Sequence, residues 1–348
     1  MATSIGDTEW LSWVERLMCG ASRQRHTATL PMQKFHCVLD ELPLHLIPSG
    51  VLDKQKRQNV SAGPFFQNPE CTIVRAGEIP TELQARRDLL EGFYLQSNIA
   101  WVREPVLGTL RPFWLGPRFE ALVSQLSAEN LESSALPDDA RLLLAGAGVL
   151  TSADHAQQRS AEWSKAVNNC AQLFREKNYA PLGNLIHPFH LAALRRYYRN
   201  AIRQGRIRLG DEQSSRRYVA HNEPVARYFH HQIAHVVGAV VGEPVKPSYV
   251  YLASYLSGAE LKKHTDREQC EFSVTLCLDF SPEPREATSW PICLDTPQGI
   301  VTIYQALGDG LVYRGTKVPH YRTPLRDGYS STSIFFHYVS EHFSGPLD

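Results

Sequence analysis

Glu271-Phe-Ser-Val-Thr-Leu-Cys-Leu-Asp-Phe280 decides the fold class of this chain. Phe272, Val274, Leu276, Leu278 and Phe280 alternate strictly with Glu271, Ser273, Thr275, Cys277 and Asp279, and a period of two is what a strand with two unlike faces requires. Strand-like runs separated by turns surround it, at residues 248–255, 300–305, 310–314, 318–323 and 331–339. Many short strands so closely spaced predict a barrel or jelly-roll sandwich.

Upstream the period changes. Helices are predicted over residues 189–204, which carry a strongly basic face, and over the more apolar 223–241. Farther back, residues 8–18 place Leu11, Val14, Leu17 and Met18 at helical spacing. Thr81-x-x-Gln84 resembles a capping box opening a helix through Leu95, and residues 119–126 and 160–176 also read as helices. The expected class is α+β: a strand-rich core in the C-terminal half with helices packed around it, and a helix-rich N-terminal half. Residues 1–155 form the helix-rich region, either a separate domain or helices on the outside of the core, and residues 156–348 form the helices plus the strand core.

Bulk properties exclude several function classes. Thirty-six basic residues balance 36 acidic ones, so no global field would recruit nucleic acid or an anionic membrane. The seven cysteines are odd in number, scattered, and never paired as C-x-x-C, which predicts reduced thiols in a cytoplasmic setting. The N-terminus MATSIGDTEWLSWVERL lacks the basic-then-apolar order of a secretory signal, and no apolar run reaches the length of a membrane span.

The chemistry-bearing pattern lies among the strands. His264-Thr265-Asp266 places an imidazole and a carboxylate on one strand face, and His320 follows in another strand-like run. Two imidazoles and one carboxylate are the ligand set of the facial triad that holds non-haem Fe(II) and leaves positions open for co-substrate and O2. A second histidine pair, His231-Gln232-Ile-Ala-His235, has the zinc-protease spacing. Gln232 stands where the general-base Glu belongs, however, so this pair reads as structural.

The run Tyr255-Leu-Ser-Gly258-Ala-Glu-Leu-Lys-Lys-His264-Thr-Asp266, then Gly308-Asp-Gly310-Leu-Val-Tyr-Arg-Gly315, His320-Tyr-Arg322, Gly328 and the strand ending Phe336-His337-Tyr338-Val339 resembles the Fe(II)- and 2-oxoglutarate-dependent dioxygenases, particularly the prolyl-4-hydroxylase-like branch. It covers the C-terminal strands in detail and the preceding helices in outline. The resemblance implies a double-stranded β-helix (jelly roll) with Fe(II) held by His264, Asp266 and His320. It further implies 2-oxoglutarate chelating the iron, and O2 consumed with release of succinate and CO2 as a C–H bond of substrate is oxidised. The carboxylate of Asp266 favours hydroxylation over halogenation, because related halogenating enzymes lack it. The implied substrate is an amino acid, peptide or small natural product. A jelly-roll metal- or ligand-binding module without redox turnover is the alternative.

One departure marks the co-substrate site. Members of that branch carry the cation for the distal carboxylate of 2-oxoglutarate on the last strand, where this chain has Ser330 in Tyr329-Ser330-Ser331-Thr332. Arg322, two residues after His320 and therefore on the same face, is the expected replacement, with Arg314 and Lys317 as alternatives. Ser330 and Thr332 would add hydroxyl bonds, and Tyr255 is either a cofactor contact or a core aromatic. Arg267 and Glu271 are candidates for the substrate mouth, Trp290 for its cap, and His337 reads as a packed histidine rather than a fourth ligand.

Overall fold

In the computed structural model the described residues are 34–42, 44–47, 65–129 and 136–348. The expected helix at residues 8–18 lies outside them. The alternating decapeptide becomes β11 (Phe272–Ser281), and it is buried at every position. It is an interior strand of a seven-stranded antiparallel sheet ordered β6-β14-β11-β16-β9-β8-β7. The other members are β6 (Tyr179–Leu182), β7 (Arg208–Leu209), β8 (Arg217–His221), β9 (Val245–Tyr255), β14 (Gly310–Arg314) and β16 (Ser330–Ser340). A second antiparallel sheet, ordered β10-β15-β12-β13, contains β10 (Leu261–His264), β12 (Ile292–Thr296), β13 (Gly299–Ile303) and β15 (His320–Arg322).

Both faces of β11 are covered, so its polar residues are buried as completely as its apolar ones. Ser273 and Thr275 are fully buried and look into the space enclosed by the strands. An extra residue on β11 shifts its pairing with β16 between Cys277 and Asp279. Such a bulge reverses the facing of the residues beyond it. Asp279 therefore points out of the strand core, toward helix α4 (Pro188–Arg203).

Among the other helices are α1 (Pro117–Glu129), α2 (Asp138–Ala147), α3 (Ala153–Lys177) and α5 (Pro224–Val241). The N-terminal half is not only helical. Besides the short pair β1 (Phe66–Gln67) and β5 (Leu150–Thr151), it holds a three-stranded antiparallel sheet of β2 (Cys71–Val74), β3 (Ile99–Glu104) and β4 (Thr109–Trp114). β3 and β4 are short and buried on both faces, so they show no alternation in sequence. Residues 81–90 form a kinked 3₁₀ segment instead of an α-helix through Leu95. The capping box does not form: Pro80 occupies the N-cap, and the Gln84 amide donates to the Ile79 carbonyl.

Helix α5 joins the halves. Its Tyr228 hydroxyl donates to Leu110 O, its Gln232 amide oxygen accepts from Leu110 N at 2.6 Å, and its His230 carbonyl accepts from the Tyr338 hydroxyl. Gln232 is thus an edge partner for β4, and His231 lies against the Arg86 guanidinium, which gives both residues structural contacts. One cluster of buried side chains runs from Phe35 to Tyr338.

Helix α4 is tied to β11 by charge. Arg195, fully buried, donates to Asp279 at 2.9 Å and to Glu283, and Arg199 makes two bonds to the same Asp279 carboxylate. Burial opposes the charge on Asp279, but the two guanidinium groups hold its carboxyl below the ordinary range. Its stabilisation is complete above the unfolded carboxyl's value, near pH 4, and is lost as pH falls through the lower folded value. Asp279→Asn is expected to cost about 3–5 kcal/mol, as removal of one partner from a buried pair does. Urea unfolding at neutral pH checks this, and the difference from wild type should shrink on acidification below about pH 4.

Candidate metal centre

Strand pairing builds the site. β10 and β15 are antiparallel neighbours with His264 directly opposite His320, which brings the imidazole centroids to 4.4 Å. The chain leaves β10 after His264, and Asp266 is fixed by its own N–H donating to Gly315 O at 2.9 Å. One carboxylate oxygen, Oδ1, lies 3.5 Å from Nε2 of both His264 and His320. Their ligand atoms all lie within 4.8 Å of one another.

Surrounding bonds decide which atoms face inward. His264 Nδ1 bonds to Lys262 O at 2.7 Å and His320 Nδ1 to Val318 O at 3.0 Å. A carbonyl can only accept, so both Nδ1 atoms carry the proton and both Nε2 lone pairs are free toward Asp266. The Ser273 hydroxyl donates to Asp266 Oδ2 at 2.6 Å, leaving Oδ1 on the histidine side. Ser273 Oγ also meets His337 Nδ1 at 2.9 Å, so a buried chain runs His337, Ser273, Asp266. Burial opposes ionisation of Asp266, yet His264, His320, His337 and Ser273 bring its pKa down to about 2. Burial lowers His320, while the adjoining Asp266 carboxylate raises His264. An anionic oxygen between two neutral imidazole nitrogens is a donor set suited to a divalent cation of intermediate hardness.

A second grouping, Asp266, Cys270 and His337, is a poorer set. Burial raises the Cys270 thiol to about 12, and it bonds to the Tyr249 hydroxyl at 3.0 Å. The metal ligand is the thiolate, and His337 Nδ1 is already engaged with Ser273.

Gly315 makes room for the carboxylate. A Cβ at this position would stand 2.7 Å from Ser273 Oγ, and would also collide with Cys270 O and Asp266 Oδ2. Glycine is required here by space.

Arg322, two residues along β15 from His320, is 4 % exposed. It donates to Trp290 O at 2.6 Å and to Gln305 Oε1 at 3.1 Å, and the Trp290 ring lies 4.8 Å from its guanidinium. Its Nε is buried without a partner, and no carboxylate pairs with it among the described residues. A desolvated cation with an orphan donor fits an anionic ligand with a terminal carboxylate. Tyr255 is beside it, packed on Trp290 at 5.1 Å and lining the cavity. Arg314 pairs with Glu271 at 3.7 Å, so these two are partners rather than site residues.

Ser330 and Thr332 are not brought to this centre. Side chains alternate along β16: Phe335 and His337 face the cavity, while Thr332 bonds to Ser254, and both Thr332 and Ser330 line a separate small space with Arg195, Arg199 and Asp279. The parity of His337 relative to Ser330 carries that information in sequence. Sequence reasoning misses Ser273, Gly315 and Arg217 as site residues. Ser273 is legible only as the polar face of β11, and Gly315 and Arg217 give no local signal.

The site floors a cavity of about 860 Å³ whose walls include Tyr249, Tyr251, Tyr255, Tyr313, Phe335 and Arg217. No protein-family model and no curated protein matches the chain. Among solved structures, the α-ketoglutarate-dependent epimerase SnoN from nogalamycin biosynthesis is 13% identical at TM-score 0.42, over 51% of this chain and 84% of that one. A Pseudomonas putida prolyl-4-hydroxylase is 14% identical at TM-score 0.41, over 50% and 99%. An oxidoreductase of the 2OG-Fe(II) oxygenase family from Burkholderia pseudomallei is 16% identical at TM-score 0.41, over 52% and 93%.

Ser273→Ala is expected to lower Mn(II) affinity about 10- to 100-fold, the usual loss when the partner of a metal ligand is removed. Gly315→Ala retains every donor atom but displaces Asp266, and calorimetric titration should find no high-affinity Mn(II) site. Unchanged affinity in either variant would contradict the roles given to these residues.

Proposed function

We propose that the protein is an Fe(II)- and 2-oxoglutarate-dependent dioxygenase that oxidises, by hydroxylation, a C–H bond of an amino acid, peptide or small natural product. The observation that carries this reading is the buried Arg322 guanidinium without a counter-charge, two residues along the strand from His320. A buried cation on the strand that carries His320 matches a ligand that must chelate a metal at one end and present a carboxylate at the other. The strand order supports it. From β9 to β16 the chain distributes its strands as β14-β11-β16-β9 in one sheet and β10-β15-β12-β13 in the other, a distribution that a jelly roll would have.

His264 and His320 would supply Nε2 and Asp266 would supply Oδ1 to the iron, each oriented by the bonds already described. Bound iron and 2-oxoglutarate supply the oxidising chemistry, with O2 consumed and succinate and CO2 released. The chain's own part is to bind, orient and exclude water. Arg322 would take the distal carboxylate through its free Nε, while the bonds of the Gln305 amide nitrogen to Thr275 O and Asp309 O keep that amide's oxygen aimed at the guanidinium. Tyr255, whose pKa burial raises, stays a neutral phenol able to donate to the same anion. Tyr313 and Phe335 line the walls and reduce water access.

Anaerobic addition of Fe(II) and 2-oxoglutarate is expected to give the weak visible charge-transfer band of a chelated keto acid, and air should then yield succinate. Absence of both would leave a jelly-roll binding module as the better description. His264→Ala and Asp266→Ala should abolish succinate formation. Arg322→Ala should weaken 2-oxoglutarate binding about 10- to 100-fold, the scale of one lost hydrogen-bonded charge, with metal affinity retained.

A further inference from the structure

Three arginines, Arg208, Arg217 and Arg267, line the cavity, and their surroundings separate their tasks. Arg322, buried on β15 two residues from His320, is assigned to the co-substrate. Arg217, on β8, has a side chain 5% exposed and bonds through Nε and Nη2 to Asp211 Oδ2, at 2.9 and 2.5 Å. Its Nη2 also donates to Gln213 Oε1 at 2.8 Å, so its charge is spent on holding the turn between β7 and β8 against the cavity wall. Arg267 differs from both. It stands exposed at the rim immediately after Asp266, and no carboxylate pairs with it among the described residues. Its guanidinium lies 4.6 Å from the Tyr249 ring centroid, and its Nε donates to the Tyr249 hydroxyl at 3.3 Å. An aromatic face holds a cation in place without neutralising it.

Tyr249 also begins an aromatic wall. His337 packs on it at 4.6 Å, His221 at 5.2 Å, and Tyr251 continues from His221 at 6.3 Å, all lining the same cavity. Across the mouth, Arg208 and Glu212 are of opposite sign and add no net charge.

Building on the iron and 2-oxoglutarate reading, we infer that the substrate carries a carboxylate on a flat aromatic body. The carboxylate is taken by Arg267, and the body lies against Tyr249, His221 and Tyr251. A planar guanidinium with free donors matches a carboxylate in bidentate geometry. Stacking on Tyr249 fixes its orientation beforehand, so little side-chain entropy is lost on binding. The aromatic wall favours offset or edge-on packing of a ring.

The test uses 4-hydroxyphenylacetate and its primary amide, titrated calorimetrically into full-length protein carrying Fe(II) and saturating 2-oxoglutarate without O2. The carboxylate should bind about tenfold or more tightly than the amide, the difference expected of one charge-assisted contact, and Arg267→Gln should erase that preference. The visible band of the 2-oxoglutarate complex, read on the same samples, should be the same in both proteins. Equal affinity for the two probes in wild type, a preference that survives in Arg267→Gln, or binding of neither probe overturns the inference while an intact band leaves the dioxygenase reading standing. Loss of the band in wild type itself would sink the reading beneath it.

Discussion

Everything at the site depends on one desolvated carboxylate. Asp266 has a side chain 11% exposed, yet it is held ionised by two imidazoles, a serine hydroxyl and a neighbouring buried histidine. A charge in that position is costly unless each lone pair is used. The cost is met by elements far apart in the chain: β10 delivers His264, β15 delivers His320, β11 delivers Ser273, β16 delivers His337, and Gly315 after β14 gives up its side chain so the carboxylate can fit. A shift of one residue in any of these strands would turn its contributing side chain to the opposite face.

The same constraint sorts the cations. Arg195 and Arg199 are neutralised by Asp279 and tie helix α4 to the sheet, and Arg217 is neutralised by Asp211. Arg322, buried on β15, and Arg208 and Arg267, which line the cavity, are without carboxylate partners among the described residues. Positive charge both buried on the strand that carries His320 and at the cavity wall is what a site for two anionic ligands would require. Two arginines of the basic face of residues 189–204, Arg195 and Arg199, are taken up by Asp279 and Glu283.

Local pattern carries far in some segments and not at all in others. Strands β9, β11, β14 and β16 stand where alternation and turns predict them, and helices α4 and α5 match their predicted spans within a residue at each end. The strands β3 and β4 give no such signal, because a strand buried on both faces loses the alternation that marks it. Ser330 and Thr332 have the distance from His320 along the chain that a co-substrate contact would have, but strand parity turns them toward helix α4.

By itself, then, the sequence determined the composition of the site: a histidine and a carboxylate two apart, a second histidine with an arginine two residues beyond, and alternating strands to carry them. Periodicity is a local property, so it can be read without coordinates. Tertiary structure alone decided which polar groups face the cavity, which arginines are already paired and which are free, and why position 315 must be glycine. Those facts are contacts between residues distant in the chain, and a bulge in β11 or the register of β10 on β15 sets them in ways no local pattern records.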